Sequence, residues 1–270
     1  MCAKLVNLLF LSLFILTSNA QNDKIIFLHH STGGMVYHKG NVADSIEAYN
    51  QRNNSHISIT ERNFPDKPYP WENYPYDYWN IWVNGDCGHY KGKPEYPNVE
   101  CLEDLCKEYD VIILKHCFPG SSILEDTGHP DVASKRKSLE NYKLQYRALR
   151  DKFDAFPGNR FIVWTLAPLH RLEYNTPDEA ARAKEFAGWV KNEWLTEDGK
   201  QHHHIHVFDY FSSTAETDRN AAPPRVPYCL KYDYELSHDN SDSHPNETAC
   251  KAIGPRFAEF IIQTVIHKQP

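Results

Sequence analysis

The stretch Ile25-Ile26-Phe27-Leu28-His29-His30-Ser31-Thr32-Gly33-Gly34 decides the fold. Its apolar, β-branched and aromatic opening reads as a strand covered on both faces, and the small residues around Ser31 mark the turn that ends it. Four more runs of the same kind follow at 56–62, 111–116, 160–165 and 205–210, Val111-Ile112-Ile113-Leu114 being the plainest. Between them helical periodicity predicts helices at 42–50, 102–109, 138–153, 177–194 and 249–267. Thr176-Pro177-Asp178-Glu179 and Asn246-Glu247-Thr248 supply helix starts: a cap, and acids in the first turn. In the last helix Ile253, Phe257, Phe260, Ile261 and Val265 share one face. Strict alternation of strand and helix predicts an α/β fold, a doubly wound parallel sheet of five strands with helices on both faces.

Ligands of such sheets bind at the carboxyl ends of the strands, where the winding direction reverses. If the first strand is central, Ser31 and the segment His116-Cys117-Phe118-Pro119-Gly120-Ser121 meet at that point. A second informative block, Asp242-Ser243-His244-Pro245-Asn246, sits just ahead of the last helix. A serine hydroxyl attacks well only when a base takes its proton and a third group orients the base. Ser31, His244 and Asp242 supply those three groups, so a serine hydrolase is the leading reading. Cys117 is expected to be a free core cysteine. The tract His202-His203-His204-Ile205-His206 is read as a solvated turn rather than a ligand set, and no metal or other cofactor is expected.

Residues 1–20 have the layout of a secretory signal peptide: Lys4, an apolar run from Leu5 to Thr17, then Ser18-Asn19-Ala20, with cleavage expected after Ala20. The expected product is one domain over 21–270, secreted or periplasmic, with no membrane span, because the run is shorter than the roughly 20 residues a span needs. The net charge of −7 argues against a nucleic-acid partner. Six of the seven cysteines follow the leader. In an exported protein this predicts disulfides, with Cys229–Cys250 and Cys87 paired to Cys101 or Cys106 as the expected bridges. Nothing in the sequence sets an oligomeric state.

Two stretches break the alternation. Residues 64–98 form an insertion crowded with Pro, Tyr and Trp, and the long loop 211–240 carries Pro223, Pro224 and Pro227. Loops of that length in compact domains are usually functional. The insertion is expected to cover the carboxyl edge of the sheet and to set substrate choice, with Trp71 and Trp79 offering flat faces to a sugar ring.

The blocks around Ser31 and His244, with Thr165-Leu166-Ala167-Pro168 after the fourth strand, resemble the SGNH/GDSL hydrolase superfamily over nearly the whole mature chain. The likeness is greatest to exported bacterial proteins with an HHSTG-type serine motif. The resemblance implies a flavodoxin-like sheet, a nucleophile in Ser31, and a His/Asp pair before the last helix. This chain departs from the pattern in three places. The usual Gly-Asp-Ser is His29-His30-Ser31. The usual acid position three before the histidine is Ser241, leaving Asp242 at two before and Asp239 at five before. The asparagine that follows the third strand is replaced by Lys115-His116-Cys117-Phe118. Backbone N–H groups of Ser31 and of Gly33 or Gly34 are then the expected oxyanion donors, with His116 as a substitute side-chain donor. The expected activity is deacylation, with deacetylation first, of a carbohydrate ester. The alternative is a non-catalytic glycan-binding protein on the same scaffold.

Overall fold

The computed structural model describes residues 22–217 and 223–267; residues 1–20, expected to be a leader with cleavage after Ala20, and part of the loop 211–240 lie outside the described residues. Five parallel strands, β1 (Lys24–His29), β2 (Ser58–Asn63), β3 (Val111–Leu114), β4 (Arg160–Trp164) and β5 (Ile205–Phe208), form one sheet in the order β2-β1-β3-β4-β5. This is the flavodoxin-like winding, and its direction reverses between β1 and β3. The register puts Leu28 opposite both Arg62 and Leu114, so the residues just past β1 and β3 emerge side by side.

Side chains alternate across a strand, and here the alternation sorts two cores. Ile25, Phe27, Val111, Ile113, Ile162 and Trp164 face Val36 of α1 (Thr32–Lys39), Ile46 of α2 (Val42–Asn53) and Phe257 of α8 (Glu247–Ile266). Ile26, Leu28, Ile112, Leu114, Phe161 and Val163 face the other layer. That layer comprises α3 (Pro75–Trp82), α4 (Leu102–Glu108), α5 (Leu139–Phe153) and α6 (Pro177–Asn192). Phe27 and Trp164 are fully buried, and each ring so covered contributes about 1.5–3 kcal/mol. A short helix α7 (Tyr210–Thr214) starts where the sequence predicted the fifth strand to continue, because Asp209 caps it by accepting from the Ser212 N–H.

Two helices go beyond the sequence reading. Thr32-Gly33-Gly34 reads as a turn by propensity, yet α1 begins there. α8 holds α1 in place: a side chain at Gly254 would lie 2.3 Å from the Gly40 carbonyl oxygen, so glycine is required for the two helices to approach. Inside the aromatic insertion, α3 has Pro75 in its first turn and a reciprocal cap between Tyr74 and Asp77. β2 is an edge strand with half-exposed and exposed side chains, unlike the fully covered strand expected.

The insertion is braced by a disulfide between Cys87 and Cys101. The expected Cys229–Cys250 bridge is absent. Cys250 lies in α8 within the core under α1 and α2, while Cys229 packs with Leu169, Tyr174 and Val226, so the two thiols occupy different cores. Replacing Cys87 with serine is expected to lower the unfolding free energy by about 3 kcal/mol, the chain-entropy value for a loop of this size. Guanidinium unfolding of the variant beside the wild type checks it; an unchanged midpoint would mean the insertion is held by its rings alone.

Candidate active site

Ser31 lies two residues past the end of β1 and stands at the N-terminus of α1, exposed, with its hydroxyl unused as a helix cap. The oxygen is instead 3.3 Å from the sulfur of Cys117, which emerges from the neighbouring strand β3. Cys117 is fixed from behind by the insertion: its N–H donates to both the side-chain and the backbone oxygen of Asn73, at 2.5 and 3.1 Å. β3 ends with its apolar run at Leu114, two residues short of the predicted 116.

His244 and Asp242 meet within the same loop. The imidazole Nδ1 is 2.5 Å from Asp242 Oδ1, and the His244 backbone N–H donates to the same oxygen at 3.0 Å. Partial burial opposes ionisation of Asp242, but these hydrogen bonds hold its carboxyl below the usual aspartate range. Asp239, the other acid considered, is exposed and not bonded to the ring. The loop rests on the segment after β4. The His170 N–H donates to Ser243 Oγ, and buried Glu235 pairs with both His170 and Arg171 at 3.0 Å. Asn246 caps α8 and donates to the carbonyls of Asp233 and Glu235.

Phe118 joins the two halves. The His244 ring stands edge-on to it with centroids 4.9 Å apart, while the preceding residue, Cys117, touches Ser31. Ser31 and His244 thus flank the Cys117–Phe118 segment at the switch point, with no direct hydrogen bond between them among the described residues. In this state the Ser31 hydroxyl turns toward sulfur.

The remaining expected site residues divide. The Gly33 N–H is committed to the His30 carbonyl at 2.8 Å and is no oxyanion donor, a correction to the sequence reading; Gly34 lines a pocket together with Ser31. His116 is also corrected. Strand alternation turns it to the opposite side from Lys115, into the α3–α5 core beside Tyr78 and Tyr146. It is fully buried, both ring nitrogens lack partners, and burial lowers its pKa to about 3, so it is a neutral core ring out of a substrate's reach. Trp79 is buried as well and packs on Tyr76. Trp71 stays half-buried and stacks on His30 at 3.8 Å, next to Ser31 in sequence. His202, expected in a solvated turn, is buried and bonded to Asp154 at 2.8 Å.

A pocket of about 330 Å³ opens at Ser31, lined by His29, Gly34, His38, Glu61, Arg62 and Asn63. Glu61 lies between two imidazoles, His29 Nε2 and His38 Nε2, each at 2.6 Å. Burial lowers the His29 pKa to about 4 despite the carboxylate. The sequence reading places Cys117 and Phe118 beside Ser31 but does not single out Lys115, Asn73 or Glu61 as parts of the site. A lysine two residues before Cys117, past a buried strand, was the available signal.

No protein-family profile and no curated protein matches this chain. Among solved structures, a gut microbial diltiazem-metabolizing enzyme aligns with a TM-score of 0.50 at 13% identity, over 91% of this chain and 47% of its own. A structure described as a carbohydrate esterase whose active site displays divergent catalytic and non-catalytic binding functions gives 0.43 at 10% identity, over 90% and 65%. The chain spans about half the length of the first and less than two thirds of the second. The first likeness is one of fold; the chemistry has to come from the residues.

Proposed function

We propose that this protein is an exported serine esterase of the SGNH kind, a single catalytic domain over 21–270 that removes acyl groups, acetyl first among them, from a carbohydrate. The observation that carries the reading is the Asp242–His244 pair at 2.5 Å on the sheet edge where Ser31 stands exposed. Ser31 swings from Cys117 toward the imidazole and attacks the ester carbonyl. His244 takes its proton and passes it to the leaving alcohol, and Asp242 keeps the ring oriented and stabilises its charged form. Backbone N–H groups of Ser31 and Gly34 are the proposed oxyanion donors. The pocket beside Ser31 supports a hydroxyl-rich substrate, because Glu61, His38 and Asn63 offer hydrogen bonds where a fatty chain would need apolar walls. Trp71 is the proposed stacking face for the sugar. The Cys87–Cys101 disulfide fits an oxidising compartment, and no helix among the described residues is long and apolar enough to cross a membrane.

A fluorophosphonate probe tests the reading directly. The wild-type protein is expected to form a covalent adduct at Ser31, located by peptide mass analysis, and His244→Ala is expected to lose it. The hydrogen bond of Ser31 to sulfur rather than to His244 favours a second reading, a non-catalytic glycan-binding protein. No adduct, with retained binding to acetylated oligosaccharides, would favour that second reading and overturn the first.

A further inference from the structure

We propose that Lys115 and Cys117 form a buried ammonium–thiolate pair whose sulfur is the positioning group for the Ser31 hydroxyl. The inference rests on the reading of Ser31 as nucleophile and adds to it a device that holds the hydroxyl between turnovers.

The geometry comes from the strand. Residues 115 and 117 both project toward α1 as β3 ends, so Lys115 runs beneath the first turn of that helix. A side chain at Gly33 would meet Lys115 Cδ at 2.9 Å and His29 Cβ at 2.6 Å, which shows how tightly the lysine stem is packed there. Lys115 is 1% exposed, and its Nζ is buried without a hydrogen-bond partner of any kind, sulfur included, so what links it to Cys117 is charge and not a hydrogen bond. Burial pulls the Lys115 ammonium below its ordinary range, and the neighbouring sulfur of Cys117, itself 4% exposed, pulls the other way. That sulfur lies 3.9 Å from Thr32 Oγ1 at the start of α1 and 3.3 Å from Ser31 Oγ.

A buried ammonium needs a counter-charge or loses its proton. The titratable groups facing the pair offer no other anion. They are His29 and His30 at the end of β1, His116 on the same segment, Tyr78 of α3 and Tyr210 of α7. Burial pushes the histidines down to their neutral form and the tyrosines up to theirs. Burial also opposes a thiolate at Cys117, yet Lys115 and the donors from Ser31 and Thr32 bring the thiol below its ordinary value. The other free cysteines go the opposite way: Cys106 and Cys229 are pushed up to about 12 and Cys250 to about 11. With the sulfur ionised, Ser31 is the donor in the Oγ–Sγ contact, and its hydroxyl is kept in one rotamer above the switch point. Substrate binding then exchanges that acceptor for His244.

The thiolate is read by its ultraviolet absorption band as pH is raised, taking the wild type minus Cys117→Ala. The expected midpoint lies below the roughly 8.5 of an ordinary thiol, and Lys115→Met is expected to move it to or above that value. In esterase assays Cys117→Ala is expected to lose about tenfold to a hundredfold in kcat with KM little changed, and Cys117→Ser, which keeps an acceptor, to recover part of it. A wild-type midpoint at or above the ordinary value, or full kcat in Cys117→Ala, overturns the proposal. The two readings fail separately. If Ser31→Ala stays active, Ser31 is not the nucleophile, whereas the titration of the thiol in that same variant still reports on the pair alone.

Discussion

Ser31→Ala is expected to lower kcat toward an activated acetate ester by about a millionfold, the loss that follows removal of the nucleophile from a triad acting as a unit. The size follows from the chemistry. Without the hydroxyl there is no acyl-enzyme, and the remaining groups can only bind the ester and polarise its carbonyl. The fold should be kept, because Ser31 is exposed, caps nothing with its side chain, and gives up only its contact to the Cys117 sulfur. Thermal unfolding measured beside the kinetics separates the two effects. His244→Ala is expected to lose nearly as much, and the double variant little more, since neither residue works without the other. A Ser31→Ala protein that keeps more than about a hundredth of the wild-type rate would transfer the attack to another group or to water.

The sheet was legible because burial on both faces writes itself as continuous apolar runs, and five such runs separated by helical periods leave few topologies open. Where burial is one-sided the signal fades: β2 sits at the sheet edge, and its start was read two residues early. α1 was missed because Thr32-Gly33-Gly34 has poor helix propensity. Packing against α8 and the passage of Lys115 beneath Gly33 override that preference. Ser31, His244 and Asp242 stood out because reactive residue types beside a strand end or a helix start are sparse. His116 misled because its chemistry is suitable but its parity is wrong. One step along the strand turns it from the edge into the core, and that direction is fixed only once the register is known. The supporting residues Asn73 and Glu61 are joined to the site through space, from an insertion and an edge strand, with no local pattern to announce them.

Asp242→Asn is expected to lower kcat by about ten-thousandfold, as when the buried acid of a triad is made neutral. The sequence left the orienting acid open, because Asp242 is two residues before His244 where the related pattern has three. The loop resolves the spacing by curling. Asp242 Oδ1 accepts from the backbone N–H and lies 2.5 Å from the ring Nδ1 of the same histidine, a closed arrangement that a two-residue separation allows. An asparagine there keeps the shape but removes the charge that stabilises the imidazolium, and its amide N–H₂ can face Nδ1 and favour the wrong tautomer. Since the Asp242 carboxyl titrates below the usual aspartate range, it stays ionised throughout the neutral region, and the wild-type rate should show no step from it there. Asp239→Asn serves as the control and is expected to keep near-wild-type turnover, because that side chain is exposed and apart from the ring. The reverse outcome, an active Asp242→Asn and an inactive Asp239→Asn, would mean that the loop rearranges when substrate binds and that the more distant acid orients the base. Activity in both variants would instead assign the orienting role to a backbone carbonyl.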